Sequence, residues 1–218
     1  MKKISVLLAE DHETVRQGLK LLIEGQADME VIAEANDGRE AVSLVEALQP
    51  DIAVLDVSMP QMNGLVATRH LSTRALRTAV VALTRYGDDA YVKEMLAAGA
   101  RGYVLKRSPS SELLAAIRAA AQGKQYIDAS LTQSSGSFFK SHSGAVGPRI
   151  TGREREVLRL MALGHSNKEI ASALDITVKT VEVHKANAMR KLGLQGRADV
   201  VRFAVLQGWL QEPEEPQP

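Results

Sequence analysis

Short apolar runs alternate with longer amphipathic stretches over the first 122 residues. The runs are four to six residues long and rich in Val, Ile and Leu, which is typical of strands buried in a parallel sheet. Between them, apolar residues recur at the spacing of one helix face, as at Leu113, Leu114, Ile117 and Ala121. The alternation predicts a doubly wound α/β domain with a five-stranded parallel sheet. Its predicted strands are Ile4–Ala9, Val31–Ala35, Ile52–Leu55, Ala79–Leu83 and Gly102–Leu105.

Residues 149–211 show helical periodicity only, which predicts a small all-α domain of four helices. The segments Thr151–Glu154 and Ser166–Glu169 are capping boxes that begin the first two helices. Thr177 is placed to cap a third helix, Val178–Leu192, which Gly193 ends, and a fourth spans Ala198–Leu206. Two short helices joined by a tight turn in a basic module predict a helix-turn-helix.

Residues 123–148 are rich in Ser and Gly and lack sustained periodicity, so they are predicted to be a flexible linker. Residues 212–218 contain three prolines and are predicted to be a disordered tail. The sequence therefore predicts a front domain (1–122), a linker (123–148), a rear domain (149–211) and a tail (212–218).

The net charge of +1 conceals two halves of opposite charge. Residues 1–122 carry 14 Lys and Arg against 16 Asp and Glu, whereas residues 149–210 carry 11 against 6. A basic rear domain is typical of a module that binds nucleic acid. Zero cysteines exclude a disulfide framework, a thiol nucleophile and a cysteine zinc finger. No apolar run is long enough for an export signal or a membrane span, so we expect a cytoplasmic location without membrane binding.

Charged and polar residues follow four of the five predicted strands. Because ligands of such sheets collect outside the carboxyl ends of the strands, we expect these side chains to converge. Three carboxylates that lie close together favour a hard cation such as Mg²⁺. A carboxylate that faces Mg²⁺ beside a hydroxyl and an ammonium is suited to attack on a phosphoryl group. The residues are Glu10, Asp11, Asp56, Thr84 and Lys106.

The same residues resemble the receiver domain of two-component response regulators, a flavodoxin-like fold. The resemblance is carried by Glu10-Asp11, by Asp56-Val57-Ser58-Met59-Pro60 through Asn63-Gly64, by Thr84, and by Lys106 before Ser108-Pro109. It implies that Asp56 accepts the phosphoryl group, and that Glu10, Asp11, Asp56 and the Ser58 carbonyl bind Mg²⁺. It also implies that Thr84 and Lys106 bind the phosphoryl group and that Tyr103 is the aromatic switch residue.

The third helix of the rear domain separates into two faces. Val178, Val181, Ala188 and Leu192 are predicted to face the core. On the other side, Glu182 is suited to accept from a cytosine amino group and Val183 to touch a thymine methyl. The full predicted DNA-contacting set is Lys168, Lys179, Thr180, Glu182, Val183, Lys185, Ala186, Arg190 and Lys191, in which the lysines and Thr180 are assigned to phosphates.

This domain resembles the DNA-binding domain of the LuxR/FixJ/NarL class. The resemblance is carried by Thr151–Leu158, Gly164–Ala171, Thr180–His184 and Lys191–Gly193. It implies dimeric binding to paired half-sites, commonly through contacts of the fourth helix.

The sequence is therefore interpreted as a non-enzymatic transcription regulator that a partner histidine kinase phosphorylates and that binds double-stranded DNA as a homodimer. A LuxR-type sensor of small molecules is an alternative, but residues 1–122 contain few aromatics to line a ligand pocket. A phosphatase that uses Asp56 as nucleophile is disfavoured because Ser58, rather than an acid, stands two residues later. A third alternative is constitutive DNA binding with vestigial phosphorylation.

Overall fold

The structure is a computed structural model that describes residues 2–74, 77–87, 89–134 and 150–210. The chain divides into two compact units, Met1–Ala145 and Val146–Pro218. The predicted tail and residues 135–148 of the predicted linker lie outside the described residues, so the boundaries of those two segments stay predictions.

The front unit alternates strands and helices in chain order. The elements are β1 (Ile4–Ala9), α1 (Glu13–Glu24), β2 (Met29–Ala35), α2 (Gly38–Leu48), β3 (Ile52–Asp56), α3 (Gly64–Thr73), β4 (Ala79–Thr84), α4 (Asp89–Ala97), β5 (Gly102–Leu105), α5 (Ser110–Ala121), β6 (Tyr126–Ile127) and α6 (Ala129–Ser134). Hydrogen-bonded neighbours in the sheet run in the order β2-β1-β3-β4-β5-β6, and every pair is parallel.

The order of the strands reverses between β1 and β3, because β2 lies on one side of β1 and the later strands lie on the other. Sheets of this kind bind ligands at the carboxyl ends of the strands beside such a reversal. The central strands are buried on both faces: all of β3 is buried, and Val6, Val54 and Val81 pack into one apolar core with Ile117 of α5. This burial explains why the strands are near-continuous apolar runs rather than alternating ones.

The predicted doubly wound α/β class is confirmed, but the predicted number of strands is wrong. Within the described residues the sheet has six strands, because Tyr126–Ile127 pairs in parallel with β5. This strand and the helix Ala129–Ser134 fall in the stretch predicted as flexible linker. Backbone hydrogen bonds to β5, which local composition does not reveal, order this part of the chain.

The regular elements among the described residues of the rear unit are all helices. Val157, Val181, Val200 and Phe203, one or more from each of three helices, are at most 1% exposed and form its centre. Its elements are α7 (Gly152–Ala162), α8 (Asn167–Leu174), α9 (Val178–Leu192) and α10 (Arg197–Leu206). Among the described residues of the whole chain, no helix combines the length and the apolar character that crossing a membrane requires.

Candidate phosphoacceptor site and nucleic-acid interface

Parallel strands bring the predicted edge residues of the front unit to one end of the sheet. Asp56 is the last residue of β3 and Thr84 the last of β4, and Asp56 lies opposite Leu83, the residue before Thr84. Glu10 directly follows β1, and Lys106 directly follows β5. Glu10 and Thr84 are fully buried and Asp56 is 2% exposed. Burial of two carboxylates is costly unless cations or hydrogen-bond donors accompany them.

Lys106 supplies a cation to both buried carboxylates. Its Nζ donates to Glu10 Oε2 at 2.6 Å and to Asp56 Oδ2 at 2.8 Å. Its backbone N–H donates to the Thr84 carbonyl at 2.7 Å, which fixes the point where the side chain leaves the sheet. One ammonium thus joins residues from three strands, and the structure brings Glu10, Asp56, Thr84 and Lys106 together as predicted from the sequence.

The acidic corner beside Glu10 contains a residue that sequence reasoning missed. His12 Nδ1 lies 3.1 Å from Glu10 Oε1 and 2.8 Å from Asp11 Oδ1. Ligand atoms of Glu10, Asp11 and His12 lie within 4.8 Å of one another, the one such group among the described residues. Its position next to Asp11 in the chain was the available signal. One ammonium, that of Lys106, faces three carboxylates, those of Glu10, Asp11 and Asp56, so negative charge is in excess here. A cluster of oxygen donors with excess negative charge fits Mg²⁺.

The loop after Asp56 is shaped by close backbone packing. Asp56 Oδ1 accepts from the Ser58 N–H at 3.1 Å, and the Gly64 N–H donates to the Val57 carbonyl at 3.2 Å. A Cβ on Gly64 would lie 2.3 Å from the Asp56 carbonyl oxygen, so this position excludes any larger residue without moving the loop. Asn63 caps α3 by accepting from the Val66 N–H at 3.0 Å. The motif Asp56 to Gly64 is therefore a steric and capping requirement of this corner.

Thr84 and Tyr103 hold the same residue of the following loop. Thr84 Oγ1 accepts from the Tyr86 N–H at 3.1 Å, and Tyr103 Oη donates to the Tyr86 carbonyl at 2.7 Å. Tyr103 is fully buried, and the Tyr86 ring stacks on Tyr91 with centroids 5.0 Å apart. Tyr86 was not predicted from the sequence, because it contributes backbone atoms that no side-chain pattern marks. It links the two predicted switch residues.

In the rear unit, both predicted capping boxes are present. Thr151 Oγ1 accepts from the Glu154 N–H while a Glu154 carboxylate oxygen accepts from the Thr151 N–H, and Ser166 and Glu169 make the same exchange. Helix α8 ends at Asp175 in a left-handed conformation (φ 52°), and Thr177 caps α9 two residues later. This turn is the predicted helix-turn-helix.

Helix α9 buries one face and exposes the other. Val181, Ala188 and Leu192 are buried as predicted, but Val178 is 37% exposed, so its predicted place in the core is wrong. Val178 is the first residue of the helix and lies beyond the edge of the packed face. The opposite face displays exposed residues, among them Val183 at 51%; of the predicted DNA-contacting set, Lys168, Lys179, Glu182, Val183, Ala186 and Arg190 are exposed and Thr180 and Lys185 half-buried.

Lys191 is a correction to the predicted DNA-contacting set. Its Nζ lies 2.7 Å from both carboxylate oxygens of Glu154, which is 3% exposed. Burial by itself raises the pKa of Glu154, but the hydrogen bonds from Lys191 and Thr151 outweigh it and hold that pKa below its usual value. Lys191 therefore pins α9 to the first turn of α7, and we remove it from the predicted phosphate contacts.

Two family models match the chain. Residues 6–118 match the response regulator receiver domain, and residues 149–204 match the luxR family of bacterial regulatory proteins. The oxygen regulatory protein NreC of Staphylococcus aureus strain JH9 is 40% identical over 210 residues, which cover 93% of this chain and 97% of NreC.

Solved structures show the same fold. RcsB from Salmonella enterica serovar Typhimurium, bound to the promoter P1flhDC in the presence of the phosphomimetic BeF₃⁻, matches at a TM-score of 0.77 and 25% identity, covering 94% of this chain and all of that one. The receiver domain of NarL from Mycobacterium tuberculosis matches at a TM-score of 0.56 and 31% identity, covering 57% of this chain and all of that one. Together with the buried site in which Lys106 binds two carboxylates and with the helix-turn-helix, these matches show that the chain belongs to the two-component response regulators of the LuxR type, which are phosphorylation-controlled DNA-binding transcription regulators.

Proposed function

We propose that Asp56 accepts a phosphoryl group from a histidine kinase and that this modification controls DNA binding by the rear unit. One observation carries the proposal: a buried carboxylate at a strand end is held 2.8 Å from an ammonium that also binds a second buried carboxylate. A carboxylate oxygen of Asp56 attacks phosphorus as the bond from phosphorus to the kinase histidine nitrogen breaks. Lys106 then offsets charge on the phosphoryl oxygens, and the Thr84 hydroxyl donates to one of them.

Glu10, Asp11 and Asp56, with the Ser58 carbonyl, are the proposed ligands of Mg²⁺. When bound, the ion neutralises negative charge on the phosphoryl group during transfer. His12 lies against two of these carboxylates and holds them in place through Nδ1. Asp56 has the Ser58 N–H as its neighbour two residues on, rather than a general acid, so we assign the protein no enzymatic turnover.

The proposed DNA-reading surface is the exposed face of α9 with the start of α8. Glu182 and Val183 are the proposed contacts to base edges, and Ala186 and Arg190 are exposed on the same helix. Four residues remain as proposed phosphate contacts: Lys168, Lys179, Thr180 and Lys185. The similarity to RcsB, whose structure was determined on promoter DNA, supports this assignment. We propose that the chain acts on DNA in the cytoplasm.

The proposed homodimer uses the outer face of α10 on paired half-sites. Val200 and Ala204 are fully buried in the rear unit, but Val205 is 55% exposed and Val201 half-buried. Only the latter two are therefore available to a second copy of the chain.

Intact-mass spectrometry after incubation with acetyl phosphate and Mg²⁺ tests the phosphoryl site. We expect one phosphoryl adduct on the wild-type chain, and no adduct on Asp56→Ala or without divalent metal. An adduct that persists in Asp56→Ala would place the acceptor elsewhere and overturn the assignment.

A further inference from the structure

The segment Tyr126–Leu131, which we call the exit segment, is bound to β5, which contains Tyr103 and directly precedes Lys106. The Tyr126 N–H donates to the Arg101 carbonyl at 2.8 Å, and the Asp128 N–H donates to the Tyr103 carbonyl at 2.9 Å. Glu112 Oε2 of α5 accepts from Tyr126 Oη at 2.9 Å and from the Ala129 N–H at 3.1 Å. The exit segment is therefore part of the front unit, although it leads along the chain toward the DNA-binding unit.

Asp128 is the most constrained residue of the exit segment. It is 1% exposed, and its Oδ2 accepts from the buried N–H of Leu105 at 3.0 Å. Its Oδ1 accepts from the Ser130 N–H at 2.9 Å and from Ser130 Oγ at 2.6 Å. Leu105 is the last residue of β5 and immediately precedes Lys106. A buried carboxylate thus fixes the backbone at the point where the phosphoryl-binding lysine leaves the strand.

Leu131 connects the exit segment to the loop after β4. It is 6% exposed, and its Cδ2 lies 3.2 Å from where a Cβ on Gly87 would be. Gly87 follows Tyr86, whose N–H and carbonyl are held by Thr84 and Tyr103. A movement of Thr84 toward a phosphoryl group would change the support of Tyr86, and the neighbouring Gly87 would transfer that change to Leu131.

Building on the proposed phosphorylation of Asp56, we propose that the exit segment is a regulatory clamp. Asp128 is a positioning residue that holds β5 and thereby Lys106, and Leu131 senses the loop that Thr84 and Tyr103 control. Phosphorylation loosens the clamp and thereby alters the start of the connection to the DNA-binding unit. One observation carries this proposal: the same segment contacts both the end of β5, next to Lys106, and the loop that Thr84 and Tyr103 hold.

Hydrogen exchange of the full chain, with and without acetyl phosphate and Mg²⁺, measures the clamp directly. Peptides that contain the Tyr126 and Asp128 amides should exchange at least about threefold faster in the phosphorylated protein, because these amides donate to Arg101, just before β5, and to Tyr103 within it. Unchanged exchange in these peptides, in a sample whose mass confirms phosphorylation, would overturn the clamp while leaving the phosphoacceptor assignment intact. Absence of phosphorylation in the wild type would instead overturn the proposed function and the clamp with it.

Asp128→Asn tests the positioning role, with Asp51→Asn as a control for the loss of a carboxylate that binds a serine. Asp51 also accepts from a serine N–H and hydroxyl, those of Ser5, but at the opposite end of the sheet. An amide at position 128 places an NH₂ donor against another donor, so Asp128→Asn should slow phosphorylation of Asp56 about tenfold. Asp51→Asn should keep the wild-type rate. Equal rates in the two variants would refute the positioning role.

Leu131→Ala tests the clamp without altering Asp128. It removes the Cδ2 contact with Gly87 but leaves the hydrogen bonds of Asp128 in place, so the rate of phosphorylation should match that of the wild type. The change in exchange at Tyr126 and Asp128 on phosphorylation should fall by at least half. A full wild-type response in Leu131→Ala would show that Leu131 does not sense the loop.

Discussion

Each unit of the protein contains a buried glutamate that binds a lysine, and the two pairs have different roles. In the front unit Glu10, fully buried, lies 2.6 Å from Lys106; in the rear unit Glu154, 3% exposed, lies 2.7 Å from Lys191. The Glu10 pair also includes Asp56 and borders Asp11, so carboxylates exceed cations there. Glu154 also belongs to a capping box, and its carboxylate accepts hydrogen bonds from the Thr151 N–H and from Lys191 Nζ. In this protein, the Lys–Glu pair that is surrounded by excess carboxylates lies at the proposed phosphoryl site. The pair whose charges balance each other stabilises the contact between two helices.

The largest difference between the pairs should appear in phosphoryl transfer. Replacing Lys106 by Met removes the cation that binds Asp56, so we expect the rate of phosphorylation by acetyl phosphate to fall about 100-fold or more. Lys191→Met should leave the rate at the wild-type value. Time courses of intact mass measure both, and equal rates for the two variants would erase the distinction drawn here.

Lys191→Met, which should not affect phosphorylation, should instead lower the free energy of unfolding of the rear unit. Lys191→Met leaves the Glu154 carboxylate buried without its ammonium, and we expect the free energy of unfolding to fall by about 1–3 kcal/mol, less than for a fully buried pair because the Lys191 side chain is 32% exposed. Trp209, the one tryptophan, packs edge-on against Phe203 with ring centroids 5.6 Å apart, so its fluorescence during urea denaturation reports this unit. An unchanged midpoint with weakened DNA binding would return Lys191 to the DNA-contacting set.

Lys179 provides a contrast to Lys191, because it is exposed on α9 and is a proposed phosphate contact. We expect Lys179→Ala to weaken binding to a duplex about fivefold. The slope of log affinity against log salt concentration should fall by about one, the value for one phosphate contact. Titrations at several salt concentrations, with Lys191→Met as the comparison, measure both quantities. A loss of affinity that does not change with salt would argue against a phosphate contact.

The smallest effect is the acid sensitivity of the rear pair. The pKa of folded Glu154 is below its usual value of 4.5, so its stabilising contribution is present above that pH and is lost as the pH falls through the lower, folded pKa. Glu154→Gln should flatten the fall in the Trp209-monitored urea midpoint between about pH 5 and pH 3. Identical pH profiles for the variant and the wild type would contradict the assigned shift.

Local pattern was sufficient to predict which polar side chains meet at one edge of the sheet. In a parallel sheet, a residue that follows a strand is placed at one edge whatever the rest of the chain does, and this rule located Glu10, Asp56, Thr84 and Lys106. Capping boxes are equally local, which is why Thr151 and Ser166 were found.

Features that depend on distant partners could not be predicted. The strand Tyr126–Ile127 is two residues long, and its order comes from hydrogen bonds to β5 rather than from its own composition. A helical wheel shows which face of α9 Lys191 occupies. It does not show that Lys191 binds Glu154, which is 37 positions earlier in the chain. Tyr86 acts through its backbone, which leaves no mark in a side-chain pattern.

The most direct test of the central claim, that phosphorylation of Asp56 controls DNA binding, is a comparison of affinities. A duplex is selected from a random library with the phosphorylated full chain, and its affinity is measured for wild type and Asp56→Ala, each with and without acetyl phosphate and Mg²⁺. The account predicts that phosphorylation tightens binding by the wild type at least about tenfold and leaves Asp56→Ala unchanged. Equal affinity of the phosphorylated and unphosphorylated wild type would contradict the account and favour constitutive DNA binding.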